Sequence, residues 1–168
     1  MKDSPIRLRK IELSDLKTCS EFPYSLSSVE PLSNRARLRR VLTRTGFWRQ
    51  DEGALAIVET KTGRLVGTMQ FSRSSPVIHG YDIGYLLHHP DDRGKRFASS
   101  GLRLMTALLF DQRPECHRLQ LVIDTTNLAS QHVAEACRYQ REGILRQAGL
   151  DPDVPRDCFI YSRLRSDP

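Results

Sequence analysis

The stretch that decides the fold of this chain is residues 82–98, which read DIGYLLHHPDDRGKRFA. Its first half reads as a strand, Pro90–Asp92 breaks that strand, and a basic loop containing Gly94 opens into a long amphipathic helix. A helix begins with backbone N–H groups that have no intrahelical partner and with the positive end of its dipole. Because the loop also carries Arg93, Lys95 and Arg96, the stretch predicts a site for a phosphate or pyrophosphate.

Outward from this stretch, the apolar pattern predicts alternating helices and strands. Strands are predicted at 6–11, 54–59, 64–71, 80–88, 118–124, 141–148 and 157–165, and helices after Ser14, at 33–45, at 95–110 and from Asn127 to about Arg138. Gly63 supplies a hairpin turn and Gly46 ends the second helix. A strand–helix–strand unit at 80–124 implies a parallel pair, whereas hairpins imply antiparallel pairs. The order predicts an α/β (α+β) fold with a mixed sheet of about seven strands and helices on both faces.

Size and charge narrow the class of protein. The 168 residues suffice for one core but not for two ordinary domains, so we expect residues 1–168 to form a single domain. Charged residues make up 27% of the chain and apolar residues 39%, which is typical of a soluble globular protein. The net charge of +6 would allow an acidic partner, but no RNA- or DNA-binding motif is visible, so a nucleic-acid partner is disfavoured.

Neither a membrane nor a metal is expected. The first residues carry no apolar segment of the kind found in secretory signals, and the longest apolar run, near 104–110, is too short to span a bilayer. The four cysteines include no Cys-x-x-Cys pair, and the histidines show no metal-binding spacing. We therefore expect reduced thiols, a cytoplasmic location and no metal site.

The order of elements and two motifs resemble the GNAT acetyltransferases, over roughly residues 5–165. The acyl-CoA loop of that family has the pattern Arg/Gln-x-x-Gly-x-Gly/Ala; Arg93 and Ala98 match it, and Arg96 stands at the central glycine. The second motif, Asn127-Leu-Ala-Ser130 with Glu142-Gly143-Ile-Leu-Arg146, is similar to the Asn-x-x-Ser … Gly-Phe-x-x-Glu-Gly-x-x-Arg signature of the RimJ/RimL-type branch, although Arg138-Tyr139 replaces its Gly-Phe pair. An arginine at 96 can still offer its backbone N–H to a ligand if its φ stays negative.

The resemblance implies an acetyl-CoA-dependent N-acetyltransferase. The acetyl group would pass in a ternary complex to a primary amine, either a protein amino terminus or a small molecule, and no metal would be needed. Acetyl-CoA would lie between the strands at 80–88 and 118–124, and the residues expected to bind it are Leu86, Leu87, His88, Arg93, Gly94, Lys95, Arg96, Phe97, Ala98, Ser99, Asn127 and Ser130. The expected partners are acetyl-CoA, the amine acceptor and a second copy of the chain in a homodimer.

The expected catalytic roles rest on the same resemblance. Many GNAT enzymes use a tyrosine to protonate the departing thiolate, but Ala134 occupies that position here; the RimJ/RimL-type branch uses a serine, which Ser130 matches. The attacking amine must be neutral, and the candidate bases are Asp82, Tyr85, His88, Glu142 and Asp157. Asp82 lies at a position that is often acidic in this branch, and the base stays unassigned among these candidates.

Two further interpretations stay open from sequence. A GNAT fold kept for binding or assembly without catalysis is favoured by Arg96, by Arg138 and by the unassigned base. The acceptor is also open: four arginines in the region of the predicted second helix hint at an anionic or nucleotide-bearing acceptor, although a solvated helix face explains them as well. They are Arg35, Arg37, Arg39 and Arg40.

Overall fold

A computed structural model describes residues 4–27, 31–75, 78–149 and 154–168. These residues form one sheet in the order β1-β2-β3-β4-β5-β7-β6. The strands are β1 (Ile6–Lys10), β2 (Glu52–Glu59), β3 (Leu65–Ser75), β4 (Ile78–Leu87), β5 (Arg118–Asp124), β6 (Gln140–Leu145) and β7 (Cys158–Leu164). The helices are α1 (Leu16–Glu21), α2 (Arg35–Thr45), α3 (Phe97–Gln112) and α4 (Leu128–Ala136), with 3-10 turns at Leu13–Asp15 and Pro90–Asp92. The predicted seven-stranded mixed sheet is confirmed, because β4 and β5 pair in parallel and the other neighbours are antiparallel.

Two apolar clusters lie on opposite faces of the sheet, as the predicted placement of helices on both faces requires. One cluster joins the sheet to α3 and α4, and includes Met69, Phe71, Leu102, Met105 and Leu119. The other joins it to α1 and α2, and includes Leu16, Leu38, Ala54, Ala56 and Val58. Successive residues of a strand point to opposite faces of the sheet. The residues of β3 that alternate with Met69 and Phe71 therefore point to the other face. Thr68 and Gln70, which pair with Ala56 and Ala54, therefore point towards α1 and α2.

One helix end predicted from the sequence is confirmed by the structure, and another prediction is wrong. Asn34 caps α2 by accepting a hydrogen bond from the Arg37 N–H at 3.0 Å, and Gly46 ends the helix with a φ of +61°, as predicted. The prediction that Ser14 caps the first helix is wrong. The 3-10 turn already begins after Glu12, because the Asp15 carboxylate accepts from the Glu12 N–H at 2.8 Å.

A gap opens in the middle of the sheet between β4 and β5. The two strands pair only over Gly80–Asp82 and Arg118–Gln120, although β4 continues to Leu87 and β5 to Asp124. Beyond Asp82 the strands diverge, and the backbone edge of each is left without a strand partner on that side. The loop before α3 and the first turn of α4 both follow these diverging ends in the chain, so the fold brings the two sequence motifs to the same gap.

Candidate active site

The wall of the gap formed by β4 presents alternate backbone groups to it. The His79 carbonyl accepts from the His117 N–H at 3.0 Å, so the odd-numbered residues of β4 direct their backbone groups towards β5. Past the last paired residue, the N–H and C=O groups of Tyr85 and Leu87 therefore face the gap. The His88 N–H instead donates to the Val66 carbonyl at 3.0 Å, on the β3 side. Of the three strand residues predicted to bind acetyl-CoA, Leu87 presents its backbone to the gap, whereas Leu86 and His88 face β3.

The loop at residues 93–99 presents a row of backbone donors. The Arg93 N–H is already used by the Pro90 carbonyl at 3.0 Å. The next six N–H groups, from Gly94 to Ser99, donate to no acceptor among the described residues. They lie at the start of α3, where the helix dipole adds positive potential. This row of donors is suited to bind an anion of several oxygens, as the sequence predicted for this loop.

Arg96 adopts a backbone conformation that the sequence did not predict. Its φ is +62°, in the left-handed region, so the condition of a negative φ under which an arginine could still offer its N–H is not met. Arg138, the other arginine at a glycine position of the family pattern, has a φ of +64°. A side chain in this region costs about 1–2 kcal/mol relative to glycine. The chain thus retains at both positions the backbone conformation that glycine favours, and Arg96 keeps its N–H in the row of donors while its side chain stays exposed.

A buried carboxylate fastens this loop to the rest of the sheet. Asp92 is 1% exposed, and its two oxygens accept from the Arg64 guanidinium at 2.6 and 2.9 Å. The Lys95 ammonium lies 3.6 Å from the same carboxylate. These cations, Arg64 above all, hold the pKa of Asp92 below its usual range. Lys95 is thereby partly neutralised, which leaves the exposed Arg93 and Arg96 as the cations of the loop.

The first turn of α4 is held across the gap from the loop. The Asn127 side chain accepts from the Ser130 N–H at 3.1 Å, so the predicted cap is confirmed. The Tyr85 hydroxyl donates to the Ser130 carbonyl at 3.4 Å, and Gln131 donates to the Thr125 carbonyl at 2.9 Å, which ties α4 to β4 and to the end of β5. The Ser130 side chain also interacts with the Tyr85 side chain, so the two hydroxyl groups lie close together beside the gap.

Three of the candidate bases lie in surroundings that make them poor bases at neutral pH. Burial raises the pKa of Tyr85 to about 12, so the phenol stays protonated and serves as the donor to Ser130. Burial lowers the pKa of His88 to about 4, and this ring is stacked on Phe22 at 4.6 Å. The Arg118 guanidinium, at 2.8 Å, lowers the pKa of Glu142 to about 2.

Asp82 is the candidate base that lies where the gap opens. It is the last residue of β4 that pairs with β5, and its carboxylate accepts from the Ser74 hydroxyl at 3.0 Å. Tyr85 follows three residues later and therefore points to the opposite face of the strand. The predicted catalytic residues thus divide between two faces: Asp82 points to the α1 and α2 face, whereas Tyr85 and Ser130 lie on the α4 face. Asp157 lies elsewhere, exposed and accepting from the Gln147 N–H at 2.9 Å.

A cavity of about 230 Å³ lies on the Asp82 face, between α2 and the sheet. Ser72, which lines it, is the register partner of Asp82 in the neighbouring strand. Apolar and polar groups share its wall about equally, and its charged lining residues are Arg37, Arg49 and Glu52. Arg37 therefore borders this cavity, and it is exposed, as are Arg35, Arg39 and Arg40.

Sequence reasoning missed a group of polar side chains beneath the segment between α1 and α2. The Ser25 hydroxyl lies 2.9 Å from the Thr68 hydroxyl and 3.1 Å from His88 Nε2, and Gln70 Nε2 donates to the Tyr24 carbonyl at 3.0 Å. All these side chains except Tyr24 are buried. The available signal was Thr68 and Gln70 alternating with the apolar Met69 and Phe71, since polar residues on a buried strand need partners.

Other classes of site receive no support from the geometry. Within the described ranges, no group of three or more His, Cys, Asp or Glu side chains could hold a metal ion. In the same part of the chain, no helix has the length and apolar character needed to cross a membrane. The cysteines at 19, 116, 137 and 158 are buried and free.

Solved structures with the same fold include acetyltransferases. A spermidine N-acetyltransferase SpeG mutant from Vibrio cholerae superimposes with a TM-score of 0.78, at 18% identity, over 98% of this chain and 96% of that one. A GNAT-family acetyltransferase from Bacillus anthracis superimposes with a TM-score of 0.76, at 19% identity, over 98% and 97% of the two chains. No curated protein sequence matches the chain at a significant level. At such identities these likenesses show the fold.

The family follows from the sequence model that the chain matches. Residues 6–140 match the model described as the acetyltransferase (GNAT) domain, so the chain belongs to the GNAT acetyltransferase family. As a member of that family it is an acetyl-CoA-dependent N-acetyltransferase.

Proposed function

We propose that this chain, with residues 1–168 forming one catalytic domain, acetylates a primary amine through the gap between β4 and β5. The observation that carries the proposal is the row of six N–H donors from Gly94 to Ser99 beside that gap. A pyrophosphate is the part of acetyl-CoA that such a row suits, with Arg93 and Arg96 adding charge. The backbone groups of Tyr85 and Leu87 would then bind the extended remainder along β4.

The two faces of the gap give the catalytic residues separate roles. Asp82 faces the α1 and α2 side and would take the proton that the amine loses as its nitrogen bonds to the acetyl carbon. Ser130 lies on the α4 side, and its hydroxyl would donate to the sulfur as the carbon–sulfur bond breaks. The Tyr85 backbone N–H in the gap wall would stabilise charge on the acetyl oxygen. Positioning should supply most of the rate, because a thioester is already activated.

We infer that the chain belongs with the RimJ/RimL-type branch of the family. The support is Ser130 with its Asn127 cap at the mouth of the gap, together with a buried Ala134 where a tyrosine acid would stand. That branch acetylates protein amino termini and related amines. The proposed acceptor is therefore a protein amino terminus or a small primary amine.

Charge around the cavity favours a neutral or anionic acceptor over a polyamine. The spermidine N-acetyltransferases that share the fold act on a polycation. Here α2 carries Arg35, Arg37, Arg39 and Arg40 without an acidic residue, and Arg37 borders the cavity. Each cation within about a Debye length of the site raises the cost of bringing in a second positive charge. An acceptor with a carboxylate or phosphate would be attracted by the same side chains.

One fold relative is described as dodecameric, and we propose a homo-oligomer for this chain as well, to be checked by light scattering.

The test has two stages. A ligand present at about 100 times its Kd stabilises a protein by about 2.7 kcal/mol, so acetyl-CoA should raise the Tm by about 5–10 °C. Release of free CoA is then followed with glycinamide, ethanolamine phosphate and spermidine as acceptors. No rise in Tm at millimolar acetyl-CoA would refute the assigned site, and a rise without CoA release would favour a binding role.

The Ser130→Ala variant tests the assigned acid. We expect kcat to fall about tenfold to a hundredfold with the KM for acetyl-CoA unchanged, because the hydroxyl acts when the thiolate leaves. Ser20→Ala is the matched control, since this α1 hydroxyl bonds to the Lys17 carbonyl and to no other group in the described part of the chain. Full turnover in the Ser130 variant would remove the serine from the mechanism.

A further inference from the structure

Gln70 is a buried side chain with one half of its amide unsatisfied. Its side chain lies on β3 and is 6% exposed. Its Nε2 donates to the Tyr24 carbonyl at 3.0 Å, but its Oε1 is buried and has no donor among the described residues. If the amide were turned so that Oε1 and Nε2 exchanged places, Oε1 would face the Tyr24 carbonyl oxygen, which is also an acceptor. The contact with Tyr24 therefore determines the orientation of the Gln70 amide. A buried amide oxygen without a donor is costly, and it marks a position where a donor is to be supplied.

The amide lies at the rim of the gap, on the face of Asp82. Gln70 is the register partner of Gly84 in β4. A Cβ built on Gly84 would come within 2.9 Å of Gln70 Nε2 and 3.3 Å of its Cδ, so the amide extends over Gly84 in the space that a side chain would fill. Gly84 lies two residues beyond Asp82, where the pairing of β4 with β5 has ended. Gln70 and Asp82 therefore flank the same opening of the gap.

We propose that Gln70 Oε1 accepts a hydrogen bond from an N–H of the attacking amine. This inference rests on the proposed function and names a residue that would hold the acceptor. A neutral primary amine has two N–H bonds and one lone pair. When the lone pair attacks, one proton must pass to the base at Asp82, while the other N–H stays on the product amide nitrogen and can remain bound to Gln70.

The chemistry of the carboxamide suits this role. The nitrogen gains positive charge as the carbon–nitrogen bond forms, so its N–H becomes a stronger donor in the transition state. A carboxamide oxygen accepts that hydrogen bond at any pH and, unlike a carboxylate, does not hold the amine as an unreactive ammonium. Gln70 would thus orient the nitrogen and favour acceptors that keep an N–H after attack.

The decisive variant is Gln70→Met, which keeps the length of the side chain and removes the amide. With acetyl-CoA saturating and glycinamide or ethanolamine phosphate as the acceptor, kcat/KM for the amine should fall about tenfold, the effect of one lost hydrogen bond. The KM for acetyl-CoA, its effect on Tm and the slow hydrolysis of acetyl-CoA without an amine should stay within twofold of wild type. Gly84→Ala, whose Cβ displaces the amide, should reproduce the loss without changing Gln70 itself.

Thr68→Val is the matched control. Thr68 lies on the same strand and face and contacts the same segment, but its hydroxyl already has a partner in Ser25, at 2.9 Å, unlike Gln70 Oε1. It should leave kcat/KM for the amine unchanged. Turnover by Gln70→Met equal to that of wild type would overturn the inference, as would an equal loss in Thr68→Val, since the effect would then belong to the segment. Wild-type protein that neither binds acetyl-CoA nor releases CoA would instead refute the proposed function.

Discussion

Replacing Arg96 with glycine separates the backbone of the loop at residues 93–98, the proposed acyl-CoA loop, from its charge. Arg96 has a φ of +62°, which costs about 1–2 kcal/mol for a side-chain-bearing residue. Glycine removes that strain but also loses about 0.5–1 kcal/mol through the greater freedom of the unfolded chain. The net expectation for Arg96→Gly is a gain of about 0.5–1 kcal/mol, and therefore a rise in Tm of about 1–4 °C for a chain of this length.

The same substitution should weaken the binding of acetyl-CoA. The Arg96 N–H already lies in the row of donors from Gly94 to Ser99, so glycine adds no new backbone conformation. What is lost is one exposed guanidinium beside the expected pyrophosphate, worth about 0.5–1 kcal/mol near solvent. The Kd should rise about twofold to fivefold at low salt, and the difference should shrink at 1 M salt, where the Debye length is about 3 Å.

Arg138→Gly is the control for this prediction. Arg138 has nearly the same backbone conformation, with a φ of +64°, and its guanidinium bonds to the Pro168 carbonyl at 3.2 Å, at an exposed position. It should gain similar stability and leave the Kd for acetyl-CoA unchanged. Both quantities come from differential scanning fluorimetry and isothermal titration calorimetry. Tighter binding by Arg96→Gly would refute the reasoning, because it would mean that the arginine obstructs the ligand.

Two further predictions concern the supports of the site. Asp92→Asn should lower stability by about 2 kcal/mol, because it weakens charge-assisted bonds to Arg64, and hydrogen exchange across residues 93–98 should speed up; unchanged exchange would contradict the role of Asp92 as an anchor. His88 has a pKa of about 4 in the folded chain against about 6.5 in the unfolded chain, so between these pH values only the unfolded chain takes up the proton. The contribution of His88 to the free energy of unfolding is therefore complete above pH 6.5 and is lost as the pH falls towards 4. That loss amounts to about 3 kcal/mol, and urea midpoints at pH 7.5 and 5 should differ less in His88→Gln than in wild type; an equal difference in both proteins would count against it.

The sequence predicted those features whose cause lies close by in the chain. The pattern of apolar residues predicted a strand at 118–124, where β5 is observed. The end of α2 at Gly46 was also predicted, because glycine adopts the left-handed backbone conformation that ends a helix at a lower energetic cost than other residues. The Asn127 cap also depends on a contact only three residues away, with the Ser130 N–H. Ser14 shows the limit of such local reasoning, since Glu12 and Asp15 compete for the same helix start and the Asp15 carboxylate, which also binds Arg9 at 2.6 Å, determines it.

The amino-acid sequence by itself thus determined the order of elements, the position of the basic loop before α3 and the family to which the chain belongs. Only the tertiary structure decided that Arg96 takes the left-handed conformation, against its own local preference, because the packing of the loop and α3 around it outweighs a cost of about 1–2 kcal/mol. It also decided which face each catalytic candidate occupies and placed Gln70 over Gly84 with its amide held by Tyr24, 46 residues away. Contacts at that separation depend on sheet register and strand divergence, which no periodicity of a single segment encodes.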